Sequence, residues 1–241
     1  MIRNTLLLLC TVLLLHCAET SDFLKQAGAS VNGLTFSEEE MSTALKQALS
    51  IGTDNSVQLL SSVDGYYKDD LFKITFPNEA SKVESTLRSL GMSSLVDKTI
   101  LSLNRAAEAA ASEAKPIFLD AIKQMTLKDA RNIVLGSEHA ATDYFKTKTQ
   151  TQLSKRFSPI IENKLDAVNA NQYWKTVMSN YNKIPTTKAV ETNLTAYVTQ
   201  RAIDGMFLSV AQEEEKIREN PALRTTKLLK QVFAYADANK N

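Results

Sequence analysis

Two cysteines, Cys10 and Cys17, and two histidines, His16 and His139, are all the thiols and imidazoles in this chain. A structural zinc centre needs about four such ligands, and a Cys–His or Ser-His-Asp device needs its base beside its nucleophile. His139 stands in Ser137-Glu138-His139-Ala140-Ala141, far from the other three, and no G-x-S-x-G elbow occurs anywhere. It reads as a solvent-facing histidine at a helix start. Zinc chemistry of the Cys/His kind and cysteine or serine nucleophiles are thereby excluded, and no cofactor is expected.

What remains is carboxylate, guanidinium and amide chemistry. The segment Ser102–Ala111 is rich in alanine and interrupted by Asn104, Arg105 and Glu108. Spacings of three and four put these residues on one helix face, where Arg105 and Glu108 can pair. They are either a polar site or an interior hydrogen-bond network, which buried polar groups require in any case. The network is favoured, because no ligand or nucleophile pattern accompanies them. Asp120 lies one turn from Lys123 and reads as a surface pair. With Asp204 and Glu113, it completes the set of carboxylates available for acid–base work. Glu213-Glu214-Glu215 cannot converge on one ion, since consecutive helical residues point about 100° apart. It reads as a solvated face beside Lys216 and Arg218. A second kind of candidate is apolar: Tyr173, Trp174, Val177, Met178 and Tyr181 recur at helical spacing, as a core stripe or as the wall of a groove or contact surface.

The elements that would position these residues are helices. Ser37–Glu40 and Thr126–Asp129 are capping boxes. Helices opening at Ser37, Asn55, Asn78 and Thr126 close at Gly52, Gly65, Gly91 and Gly136. Ser158-Pro159 and Asn220-Pro221 pair a capping residue with proline at a first helical position. Pro116 either starts a helix or kinks a longer one. The longest helix is expected over 194–219, with Gly205 in its interior, where close contact with another helix would compensate the missing side chain. Only Phe72-Ile74-Phe76 alternates like a strand. Lacking a partner, it is expected to be an extended connector that lays three apolar side chains over neighbouring helices.

The N-terminus is an address. Arg3 precedes the apolar run Leu6–Leu15, followed by His16, Cys17 and polar residues, the layout of an export signal ending at a cysteine that can be lipidated. The run is half the roughly 20 residues a spanning helix needs. Leu14-Leu15-His16-Cys17 is an imperfect lipobox, with His16 where Gly, Ala or Ser is usual. The expected organisation is an export signal at 1–16, a lipid-anchored linker at 17–36 and a helical domain at 37–241. Twenty-eight cations face 27 anions. That balance gives no electrostatic reason to expect nucleic acid as a partner.

The blocks LNRAAEAAASEAKPIFLDAIKQMTLKDARNIVLG (103–136), AATDYFKTKT (140–149) and YVTQRAIDGMFLSVAQEEEKIRENPALRTTKLLKQVF (197–233) resemble a bacterial family catalogued as domain of unknown function 4197. The resemblance covers about residues 38–236. It implies a helical fold and an envelope location, since members typically carry export signals, often of lipoprotein type. It implies no activity, substrate or site residue.

The local signals together predict an all-α chain: one multi-helix, bundle-like domain of about eight to ten helices, in one or two lobes, without substantial sheet. The leading functional expectation is a non-enzymatic envelope lipoprotein, held at a membrane through Cys17, whose helical domain binds or supports an envelope protein or apolar ligand. A carrier of an apolar small molecule or lipid is the alternative. A carboxylate-dependent enzyme ranks last.

Overall fold

The computed structural model describes residues 37–182 and 193–238. The export signal (1–16), Cys17, the linker (17–36) and the side chain of Tyr181 lie outside the described residues. Among those described run nine helices and no strand: α1 (Glu38–Ser61), α2 (Ser81–Ser89), α3 (Ser93–Ala111), α4 (Ala114–Gln124), α5 (Leu127–Val134), α6 (Ala140–Asp166), α7 (Ala170–Tyr181), α8 (Leu194–Glu219) and α9 (Lys227–Ala238). The chain is all-α. None of these helices is long and apolar enough to cross a membrane.

Both capping boxes form: Ser37 Oγ accepts from Glu40 N at 3.1 Å and Thr126 Oγ1 from Asp129 N at 3.1 Å, each answered by the carboxylate. The centre is a layer of α3, α6 and α8 with α1 across it. Ala106, Ala107, Ala110 and Ala111 are fully buried, and their small side chains bring α3 close to α6. Phe118 of α4 meets Phe145 of α6 edge to face at 5.1 Å, a geometry that adds to simple burial.

Several helix boundaries differ from the sequence expectation. α1 does not stop at Gly52 but runs through it, because Gly52 lies against Glu213 of α8, whose Cβ would be 3.2 Å from an added Cβ. The turn after α1 places Asp64, not Gly65, in the left-handed region at φ 71. Pro159 starts no helix. It sits inside α6, which at 27 residues is longer than α8. The buried stripe Phe157, Ile161 and Leu165 carries α6 past it, and the carbonyl it leaves unpaired belongs to exposed Lys155. Asn220 does cap, but only the single 3-10 turn Pro221–Leu223, and α9 begins later. Pro116 falls in the first turn of α4, so the long helix divides there.

The other correction concerns Gly205. Its close neighbour is an aromatic ring rather than a helix: Tyr66, fully buried, would have Cε1 2.8 Å from a Cβ at 205. The Tyr66 hydroxyl donates to the Ala202 carbonyl at 2.7 Å. Alanine for glycine in a helix normally stabilises by up to about 1 kcal/mol. Here Gly205→Ala is expected to destabilise by about 1–3 kcal/mol through overpacking, a reversal of sign that urea unfolding reads directly.

Candidate functional site

Residues 62–77 cross the bundle between α1 and α2 without helix or sheet. Local turns pair some of their backbone groups, and α3 supplies partners for the buried amides of Tyr66 and Ile74. Asn104 accepts from Ile74 N at 2.8 Å and donates to Ile74 O at 2.8 Å, so one buried amide does the work of an adjoining strand. It also returns a bond to Ile100 O at 2.7 Å. One turn along, Glu108 accepts from Tyr66 N at 3.2 Å and Tyr67 N at 3.3 Å. Its other oxygen takes Arg105 at 2.5 Å, and Arg105 reaches Asp64 at 2.6 Å. Hydrogen bonds from Lys68 and then Arg105 hold the Asp64 carboxyl below the ordinary carboxylate range. Burial, with the Glu108 charge close by, pushes the Tyr66 phenol upward.

Asn104, Arg105 and Glu108 are thus brought together, and every polar atom among them that faces the interior has a job in fixing the connector. Asp120 and Asp204 do not join them. Asp120 is on α4 with Lys123 at 3.4 Å, and Asp204 is on α8, where it accepts from Gln200 at 2.8 Å. Among the described residues no three His, Cys, Asp or Glu side chains are grouped to hold a metal ion.

The reading of Glu213–Glu215 as one solvated face is corrected at its middle residue. Glu214 is buried and accepts from Ala141 N at 3.0 Å and Thr142 N at 2.9 Å, capping α6 from another helix. His139, exposed at the N-cap, makes no side-chain cap of its own. Arg218 neutralises Glu214 at 2.8 Å and donates to Ile133 O at 2.9 Å. The spacing of four between Glu214 and Arg218 is a pairing signal in sequence, but the run of three carboxylates hid which one turns inward. The adjoining cavity, about 20 Å³, has room for about one water.

The connector ends in a groove. Phe72, Ile74 and Phe76 are all buried as expected, and Tyr197 of α8 donates to Thr75 O at 2.9 Å, holding the segment from the other side. Phe76 meets Trp174 edge to face at 5.1 Å and forms the floor of a cleft of about 750 Å³. Val83 and Leu87 of α2 make one wall, and Leu95, Val96 and Thr99 of α3 another. The third wall is the α7 stripe, which divides: Trp174 and Met178 are buried, whereas Tyr173 is 65% and Val177 39% exposed along the cleft. The stripe is core on its inner edge and groove on its outer edge.

The sequence reading did not include the α2 and α3 walls. The signal was present, because the N-cap and first half of α3 carry apolar residues at 92, 95, 96 and 100. That stripe is wider than its buried set of Val96 and Ile100 requires. Met92 and Leu95 remain exposed along the cleft, apolar surface of the kind that marks binding sites.

A family model described as protein of unknown function (DUF4197) matches residues 35–234. No curated protein and no solved structure matches the chain.

Replacing Asn104 by alanine leaves the buried N–H and C=O of Ile74 unpaired, at about 1–3 kcal/mol each. Asn104→Ala is expected to destabilise by about 2–5 kcal/mol in urea unfolding, while Asp120→Asn, at an exposed pair, stays within about 0.5 kcal/mol of wild type.

Proposed function

We propose that this chain, which belongs to the DUF4197 family, is a membrane-tethered helical module that binds an apolar ligand in the cleft between α2, α3 and α7. The observation that carries the reading is the cleft itself. At about 750 Å³ it falls within the range of small-molecule sites, and its walls are overwhelmingly apolar. Its floor, Phe76, sits on a connector that Asn104 pins through Ile74, so the site is formed before any ligand arrives. Preorganisation of this kind spares the ordering cost of binding.

The tether is read from the first residues of the sequence. Arg3, the apolar run to Leu15 and Cys17 support export followed by acylation, and stable anchoring takes at least two hydrophobic signals. A chain delivered to a membrane surface, in an envelope, meets amphiphiles continually. The carrier reading therefore agrees with the address, and Cys17 with its lipid is the partner contact to the bilayer. The carboxylates offer no comparable support for an enzyme, because each sits with its own structural partner.

Trp174 is the single tryptophan of the chain and lies in the floor region of the cleft, so binding has a built-in reporter. In the mature chain bearing Cys17→Ala, straight-chain alkyl amphiphiles are expected to shift Trp174 emission. Affinity should rise about fourfold per added methylene until the cleft is full. Leu95→Asp, at an exposed wall position, should abolish the shift and leave circular dichroism unchanged; an emission spectrum indifferent to every chain length refutes the ligand site. For the tether, mass spectrometry of the native N-terminus is expected to find acyl groups on Cys17, and an unmodified peptide starting near Ala18 refutes it.

A further inference from the structure

We infer that the ligand of this cleft carries an anionic head, a carboxylate or a phosphate, received by the ammonium group of Lys98; the inference rests on the cleft being the ligand site. Lys98 stands three residues past Leu95 on α3 and is the one charged residue among those that line the cleft. A lysine stem covers apolar surface while its ammonium keeps to water, which suits a position where an apolar wall meets solvent.

The surrounding charges leave Lys98 available. Asp97, its neighbour in sequence, is engaged by Arg88 at 2.9 Å, and the same guanidinium holds Glu84 of α2 at 2.9 Å. Both carboxylates thus share the one guanidinium, and Lys98 makes no ion pair among the described residues. The two hydroxyls of the same wall have spent their protons: Thr99 donates to Leu95 O at 2.9 Å and Ser102 to Lys98 O at 2.9 Å. The α3 wall thus offers apolar surface for a chain and, for its head, one ammonium without an ion-pair partner among the described residues. A cationic amphiphile would meet the ammonium's repulsion at that point, and a neutral one would leave the ammonium to water.

The test compares four probes with the same twelve-carbon chain: dodecanoate, dodecyl phosphate, dodecanol and dodecyltrimethylammonium. Each is titrated below its micelle concentration into the mature Cys17→Ala chain at low salt, with Trp174 emission as the readout. The anions are expected to bind about two- to fivefold tighter than dodecanol, the range for an exposed ion pair, and the advantage should vanish in high salt. The stronger of the two anions assigns the head. Lys98→Ala should make the anions and dodecanol equal, and Lys98→Glu should put dodecyltrimethylammonium first. Equal binding of dodecanoate, dodecyl phosphate and dodecanol by the wild-type side chain, or an order unchanged by Lys98→Glu, overturns the anionic head while the apolar site stands. Failure of all four probes removes the site and the head together.

Discussion

An extended chain inside a helical bundle has a row of amides and carbonyls with no helix of its own to bond them and no sheet beside it. That constraint governs this molecule. Within residues 62–77 local turns pair some of the amides, and side chains of α3 and α8 pair others: Asn104 to both groups of Ile74, Glu108 to two consecutive amides, Tyr197 to Thr75. Unpaired buried polar groups each cost more than a made hydrogen bond contributes. The polar residues of α3 are therefore as structural as its alanines. Once the connector is fixed, Tyr66 is placed over Gly205 and Phe76 against Trp174, and the walls of the cleft have something to close around.

The same arrangement explains why the polar block of α3 resists a catalytic interpretation. Glu108 has both oxygens committed, and Arg105 bridges it to Asp64 at the turn. A general acid or base needs a proton path to a substrate. Here the carboxylate faces backbone amides, and the cleft with volume for a ligand lies along the other half of α3, lined by apolar side chains. Scaffold and site share one helix but divide it lengthwise.

Much of this was legible in the sequence because it is local. Capping boxes involve residues three apart, the alanine block declares a close helix contact, and an alternating triplet ending at Pro77 declares an extended segment. Two boundaries differ because tertiary contacts override local punctuation. Gly52 and Pro159 look like stops, yet packing of α1 on α8 and the stripe from Phe157 to Leu165 carry both helices onward. Asn104, Arg105 and Glu108 were recognisable as one face, whereas Asp120 and Asp204 were grouped with them by chemistry alone, which periodicity could not justify. The α7 stripe was visible, but its division into buried and open edges depends on α2 and α3, distant in the chain.

Glu214 has a consequence for how the chain acquires its structure. The first amides of α6 find their acceptor some seventy residues further on, 2.9–3.0 Å away on α8. Until that later helix has docked, these amides lack the acceptor they have in the finished fold. Arg218, which secures that carboxylate and also reaches back to Ile133 before α6, ties a third stretch to the same event. Early and late halves of the polypeptide are thereby joined at one carboxylate, and a chain ending before Glu214 would leave the α6 N-terminus without its cap.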